Sequence, residues 1–123
     1  SHQHDAEYES NGQLTLHDNG NARFVADPTP SVHSRGQAYV LDETNRIATQ
    51  VLNADLGVYS FALGSAQLLA NGNYNFLPGI NNFPSSPFSQ STEVMPNGRL
   101  NMIFQSSSVA YRSTRVPSLY TLH

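Results

Sequence analysis

A short pattern written three times constrains this chain more than anything else in it. It reads Glu7-Tyr8-Glu9-Ser10-Asn11-Gly12-Gln13-Leu14-Thr15-Leu16, then Gln67-Leu68-Leu69-Ala70-Asn71-Gly72-Asn73-Tyr74-Asn75-Phe76, then Glu93-Val94-Met95-Pro96-Asn97-Gly98-Arg99-Leu100-Asn101-Met102. Each copy is an alternating segment, an Asn-Gly pair and a second alternating segment. Asn-Gly suits a two-residue type I′ hairpin, where both central residues need positive φ. A fourth hairpin keeps the shape without Asn-Gly: residues 37–42, a Glu43-Thr44-Asn45 turn, then residues 46–52. Turn centres fall near residues 11, 44, 71 and 97. Two hairpins then make a four-stranded sheet of about 50–60 residues, close to one β-propeller blade.

The pattern predicts an all-β chain with one blade over residues 5–53, a second over 65–105 and a closing strand within 109–120. Propellers close with about four to eight blades, so 123 residues are too few for a ring. The chain is therefore expected to be the C-terminal part of one larger propeller domain, entering a strand directly from Ser1. The remaining blades would be its partners. The alternative at this length is a small complete β-sandwich. Leu14, Leu16, Val40, Leu68, Phe76, Leu100 and Ile103 are the positions expected to pack between sheets.

Composition narrows function by exclusion. Charged residues make up only 12%, with six Arg, no Lys and a net charge of −3. That gives no electrostatic footprint for nucleic acid or an anionic membrane surface. No apolar run approaches the ~20 residues that span a bilayer. The absence of cysteine excludes a thiolate metal site and leaves the redox compartment unread. Helical periodicity is nearly absent; Gly57, Gly64 and Val58-Tyr59-Ser60-Phe61 argue against a helix over 55–69. Residues 22–33 and 78–91 read as long, proline-bearing loops, and such loops are usually functional or disordered. Phe83 and Phe88 make the second one aromatic, either as a substrate lid or as rings packed on neighbouring blades.

Reactive side chains gather at the front, in His2-Gln3-His4-Asp5. On an extended strand His2 and His4 line one face and Asp5 points to the other. A metal needs three or four ligands, and His17 and His33 are the only obvious further imidazoles, so no metal or other cofactor is assigned. A neutral histidine can instead act as a nucleophile or general base when its second nitrogen is held.

These residues carry a resemblance. Gln3-His4-Asp5-Ala6, the Asn11-Gly12 turn, Leu14-Thr15-Leu16 and Asp18-Asn19-Gly20 together resemble the C-terminal part of the arylsulfotransferase family. The likeness continues in order through Ser34-Arg35, Tyr39-Val40-Leu41-Asp42-Glu43, Gly64-Ser65-Ala66-Gln67, the later Asn-Gly turns and Tyr111-Arg112. It implies a six-bladed propeller exported from the cytoplasm, hence secreted, periplasmic or extracellular. It also implies sulfuryl transfer from a phenolic sulfate ester to another phenol through the histidine of the Gln-His motif, which falls on His4.

Arg35 and Arg112 are the candidates beside the sulfuryl oxygens, each equally able to pair with a structural carboxylate. Tyr111 is a candidate wall for the aromatic ring. The family's further His, Asn and Arg residues lie upstream of the Gln-His motif and are not in this chain, which is therefore expected to be inactive alone. Where the best-studied type has a hydroxyl within 59–64, this chain has Leu63 and Gly64. That departure keeps a second class open: a non-catalytic extracellular propeller module for glycan or protein binding or surface assembly.

Overall fold

The computed structural model describes residues 2–29 and 31–117. Eight strands form two four-stranded antiparallel sheets, each a meander in chain order. The first contains β1 (Gln3–Tyr8), β2 (Gln13–Asp18), β3 (Arg35–Asp42) and β4 (Ile47–Asp55). The second contains β5 (Gly64–Leu68), β6 (Tyr74–Pro78), β7 (Ser89–Val94) and β8 (Leu100–Ser106). The fold is thus all-β, with the two sheets where the hairpin pattern predicts them and neither sheet closed. It is compatible with two blades of a propeller.

All three Asn-Gly turns share one geometry, and it is not type I′. Only the glycines take positive φ, at 80°, 83° and 84° for Gly12, Gly72 and Gly98. Each glycine N–H returns to the carbonyl three residues back, on Glu9, Leu69 and Met95. The asparagine instead accepts from the amide two residues on: Gln13 to Asn11, Asn73 to Asn71 and Arg99 to Asn97, at 3.0–3.1 Å. This is the longer loop ending in a left-handed residue, in which asparagine braces the turn through its side chain. Arg46, at φ 58°, takes the left-handed place in the fourth hairpin.

The sheets pack face to face through β1 and β2 against β5, with β2 also touching β6. Their shared core holds Ala38, Leu52 and Ala54 from the first sheet, Ala66, Tyr74, Phe76 and Val94 from the second, and Leu56 from the link between them. Small residues let the backbones approach, and two rings fill the gaps left by glycine. A Cβ on Gly36 would lie 2.3 Å from the Phe76 ring, and one on Gly64 would lie 2.2 Å from Nδ1 of His17. Phe76 and His17 are both fully buried. Of the expected core, Phe76 and Leu68 are found there. Val40, Leu100 and Ile103 are exposed instead: Val40 follows a register shift at which Val51 of β4 is the extra residue, and β8 is an edge strand. Leu14 and Leu16 are only half-buried, because β2 turns Thr15 and His17 inward.

Two loop expectations change. Residues 22–33 include a short helix, α1 (Asn21–Ala26), entered from Gly20 at φ 80°. The closing strand expected over 109–120 does not form over 109–117, and residues 118–120 lie outside the described residues. The tail instead crosses the polar far face of the second sheet. Ser113 exchanges hydrogen bonds with the Ser65 side chain and Arg115 with that of Gln67. Side chains here satisfy backbone groups that a ladder would otherwise pair. Arg115 also pairs with buried Glu93 at 3.0 Å, whose other oxygen accepts from Asn71, Asn73 and Asn101. The Asn73 bond first, then those from Asn101, Asn71 and Arg115, hold the Glu93 carboxyl below its usual range.

Candidate functional site

The register of the first sheet sets out the site in rows. Gln3, Asp18, Arg35 and Asp55 lie across from one another, and the adjacent row is His4, His17, Gly36 and Ala54. Directly opposed residues of an antiparallel pair share a face, so His4 and His17 are neighbours on the side turned to β5. His4 is half-buried on the edge strand β1, and His17 is completely enclosed.

A bulge follows His4. The register shifts between His4 and Glu7, and Asp5 takes a φ of 53°. Strict alternation, which would send Asp5 away from His4, fails at this point. The Asp5 carboxylate reaches the second sheet, accepting from the Ala66 amide at 3.2 Å. Its other oxygen holds Arg112 at 2.9 Å. Glu9 repeats the device one step along, accepting from the Leu68 amide at 2.9 Å. Two carboxylates thus satisfy the free edge of β5, and the first draws a guanidinium to the residue next to His4.

The predicted residues are only partly brought together. Arg112, from the far end of the chain, is brought to Asp5, the residue after His4. Arg35 is two strands away on the neighbouring row, where, against burial, the Gly57 amide, then His33 and last Arg35 hold the Asp55 carboxyl low. Tyr111 is 66% exposed and lies under the Arg112 guanidinium, 5.8 Å from ring centroid to Cζ. Among the described residues no three His, Asp or Glu side chains stand close enough to hold a metal. His33 pairs with Asp55 at 2.7 Å. No helix among the described residues is long and apolar enough to cross a membrane.

The Asp18-Asn19-Gly20 motif is a structural clasp. Asp18 accepts from the Gly20 amide and pairs with Arg23. Asn19 donates to the carbonyls of Ser60 and Leu63, tying the end of β2 to the start of the second sheet. His17, just before it, reads in the sequence only as a further imidazole for a metal; in the fold it is a buried packing ring. Neither ring nitrogen has a hydrogen-bond partner. Burial first, and the charge of His4 second, push its pKa down to about 3. His17 is therefore a neutral imidazole at pH 7, and its ring occupies the space that a side chain at position 64 would need.

That shift has a sign. The folded-state pKa lies below the ordinary value of 6.5, so the unfolded chain binds the extra proton between about pH 6.5 and 3. Stability contributed by neutral His17 is present above this window and is lost as pH falls through it, on the order of 5 kcal/mol in all. His17→Phe, which keeps a ring and removes both nitrogens, is expected to flatten that dependence. Urea midpoints at pH 7 and pH 4 for both proteins check this; equal pH losses in the two would refute it.

Two four-stranded antiparallel sheets thus stack through glycine sockets, with His4 on an edge strand and Arg112 paired to its neighbour Asp5. The sequence matches the family described as Arylsulfotransferase (ASST) over residues 1–114. The chain belongs to that family. No curated protein matches it.

Proposed function

We propose that this chain forms the histidine-bearing blades of a propeller that transfers a sulfuryl group between phenolic sulfate esters and phenols. The reading is carried by one observation: His4 stands in the Gln-His motif of a chain belonging to this family, and its sequence neighbour Asp5 pairs with Arg112 at 2.9 Å. In the first half-reaction an imidazole nitrogen of His4 attacks sulfur, the S–O bond to the aryl oxygen breaks, and the phenolate leaves with the electron pair. In the second an acceptor phenol oxygen attacks sulfur, the N–S bond breaks with its electron pair returning to the imidazole, and the phenol proton passes to water. Negative charge spread over the sulfuryl oxygens is what Arg112 would stabilise. The remaining blades supply the other site residues, so the chain alone is inactive, and the whole is exported as its family implies.

The test is a trapping experiment on the full-length protein. With a sulfur-labelled aryl sulfate and no acceptor, one equivalent of phenol should be released per site and the label should remain on the peptide containing His4. Transfer that proceeds without label on that peptide would exclude this route. A second reading, a non-catalytic module for glycans or proteins, is favoured by Leu63 and Gly64, which stand near where the resemblance implies a hydroxyl; at Gly64 the His17 ring fills the space a side chain would need. It predicts neither burst nor transfer with any phenolic sulfate.

A further inference from the structure

An aromatic cavity of about 500 Å³ opens among the loops at the end of the sheets where β1 begins and β2 ends. Its walls come from three separate segments: α1, the link between the sheets, and the loop after β6. Phe24 stacks on Tyr59 with centroids 4.4 Å apart and planes 9° from parallel. Phe61 stacks on Phe83 at 5.7 Å and 15°. His2 and Asn21 supply the polar edge.

Asn21 fixes this arrangement. Its Nδ2 donates to the Phe61 carbonyl at 3.1 Å and its Oδ1 accepts from the Tyr59 hydroxyl at 3.1 Å. With the amide so oriented, the same Nδ2 must donate to Nδ1 of His2, 3.2 Å away. Neutral His2 then carries its proton on Nε2, leaving an N–H donor at the rim of a slot whose other polar lining is Asn21 and Asn82. The His2 carbonyl is itself anchored by the Asn19 amide at 3.1 Å. Phe61 and Phe83 remain 52% and 61% exposed, so the stacked rings present open faces and edges to anything that enters.

We propose that this cavity is an aryl-binding site that selects phenols and their sulfate esters with two or more aromatic rings over one-ring phenols. Size argues for it: an apolar cavity of about 150 Å³ already accommodates benzene, so 500 Å³ has room for two or three rings. Sites of ~300–1,000 Å³ with aromatic linings and few polar groups are the usual form for ligands of that size. Flat walls already stacked lose little on binding, and offset aromatic contacts add to the attraction for each further ring. The His2 donor suits a phenolic or sulfate oxygen. Two residues of extended chain separate His2 from His4, a distance of about 7 Å, so a bound ring would lie within reach of that side chain. The link to catalysis rests on the sulfuryl-transfer reading; the binding preference does not.

Calorimetry on the full-length protein tests it, with 2-naphthol and phenol as ligands. The wild type should bind 2-naphthol at least tenfold more tightly than phenol. Phe83→Ala and, separately, Phe24→Ala should each cut that preference by about fivefold to tenfold. Phe83 is more than half exposed, so its removal leaves the core untouched. Equal affinity for both ligands, or a preference unchanged by Phe83→Ala, would overturn the assignment. A transfer assay on the same proteins separates the two readings. A binding preference without transfer upholds the cavity against the sulfuryl reading, and transfer without the preference does the reverse.

Discussion

His4→Ala in the full-length protein is expected to lose sulfuryl transfer between phenolic sulfates by a factor on the order of 10⁴ or more. Removing a nucleophile closes the covalent route outright, and the remaining electrostatic contribution of Arg112 has no intermediate to act on. Folding should be intact, because His4 is half-buried on an edge strand and none of the core residues depends on it. A thermal transition within about 2 °C of wild type would show this. His33→Ala is the control: that ring lies outside the proposed site, paired with Asp55, and should leave turnover within a factor of two or three. Turnover that survives His4→Ala would end the assignment.

The largest effect on stability is expected at glycine 64. A methyl group there would meet Nδ1 of His17 at 2.2 Å and Cγ at 2.6 Å. The ring cannot retreat, since it is enclosed between the sheets. Gly64→Ala should therefore cost about 3 kcal/mol, at the upper end of overpacking penalties. Gly36→Ala should behave alike against Phe76, whose ring lies 2.3 Å from the position of the added carbon. Urea denaturation gives the number. Combining Gly64→Ala with His17→Ala should cost less than the sum of the two single changes, because the vacated ring space accepts the methyl group. Strict additivity would mean that the two residues do not share a socket.

The strands were legible because hairpins are local. Alternation and a left-handed turn residue both operate over fewer than a dozen positions, so Asn11-Gly12, Asn71-Gly72 and Asn97-Gly98 mark their loops without help from the rest of the chain. The detailed turn differed because the asparagine side chain closes a bond that a backbone-only reading omits. The helix α1 has neither a side-chain cap nor a buried face, so it left no periodic trace. Asp5 was misdirected because one bulge cancels alternation, and bulges carry no consistent sequence mark. His17 occupies an inward position of an ordinary alternating strand; only its proximity to Gly64, 47 residues later, explains why a polar ring is there. The aromatic cavity is hidden for the same reason, its walls being scattered over residues 24, 59, 61 and 83; only the aromatic, proline-bearing loop after β6 marks it in the sequence.

The two glycine sockets also bear on how such an array can grow or be rearranged. Each sheet supplies one ring and one hole, at β2 and β3 in the first and at β6 and β5 in the second. The couplings are therefore directional, like a keyed joint. On β7, the strand in β3's place, residues 89–91 carry side chains throughout, and Gln90 extends to the Leu56 carbonyl. A second copy of the first sheet grafted in place of the second would bring neither Gly64 to His17 nor Phe76 to Gly36. Although the hairpins repeat, the units are not interchangeable, and their order along the chain is written into the shape of their faces.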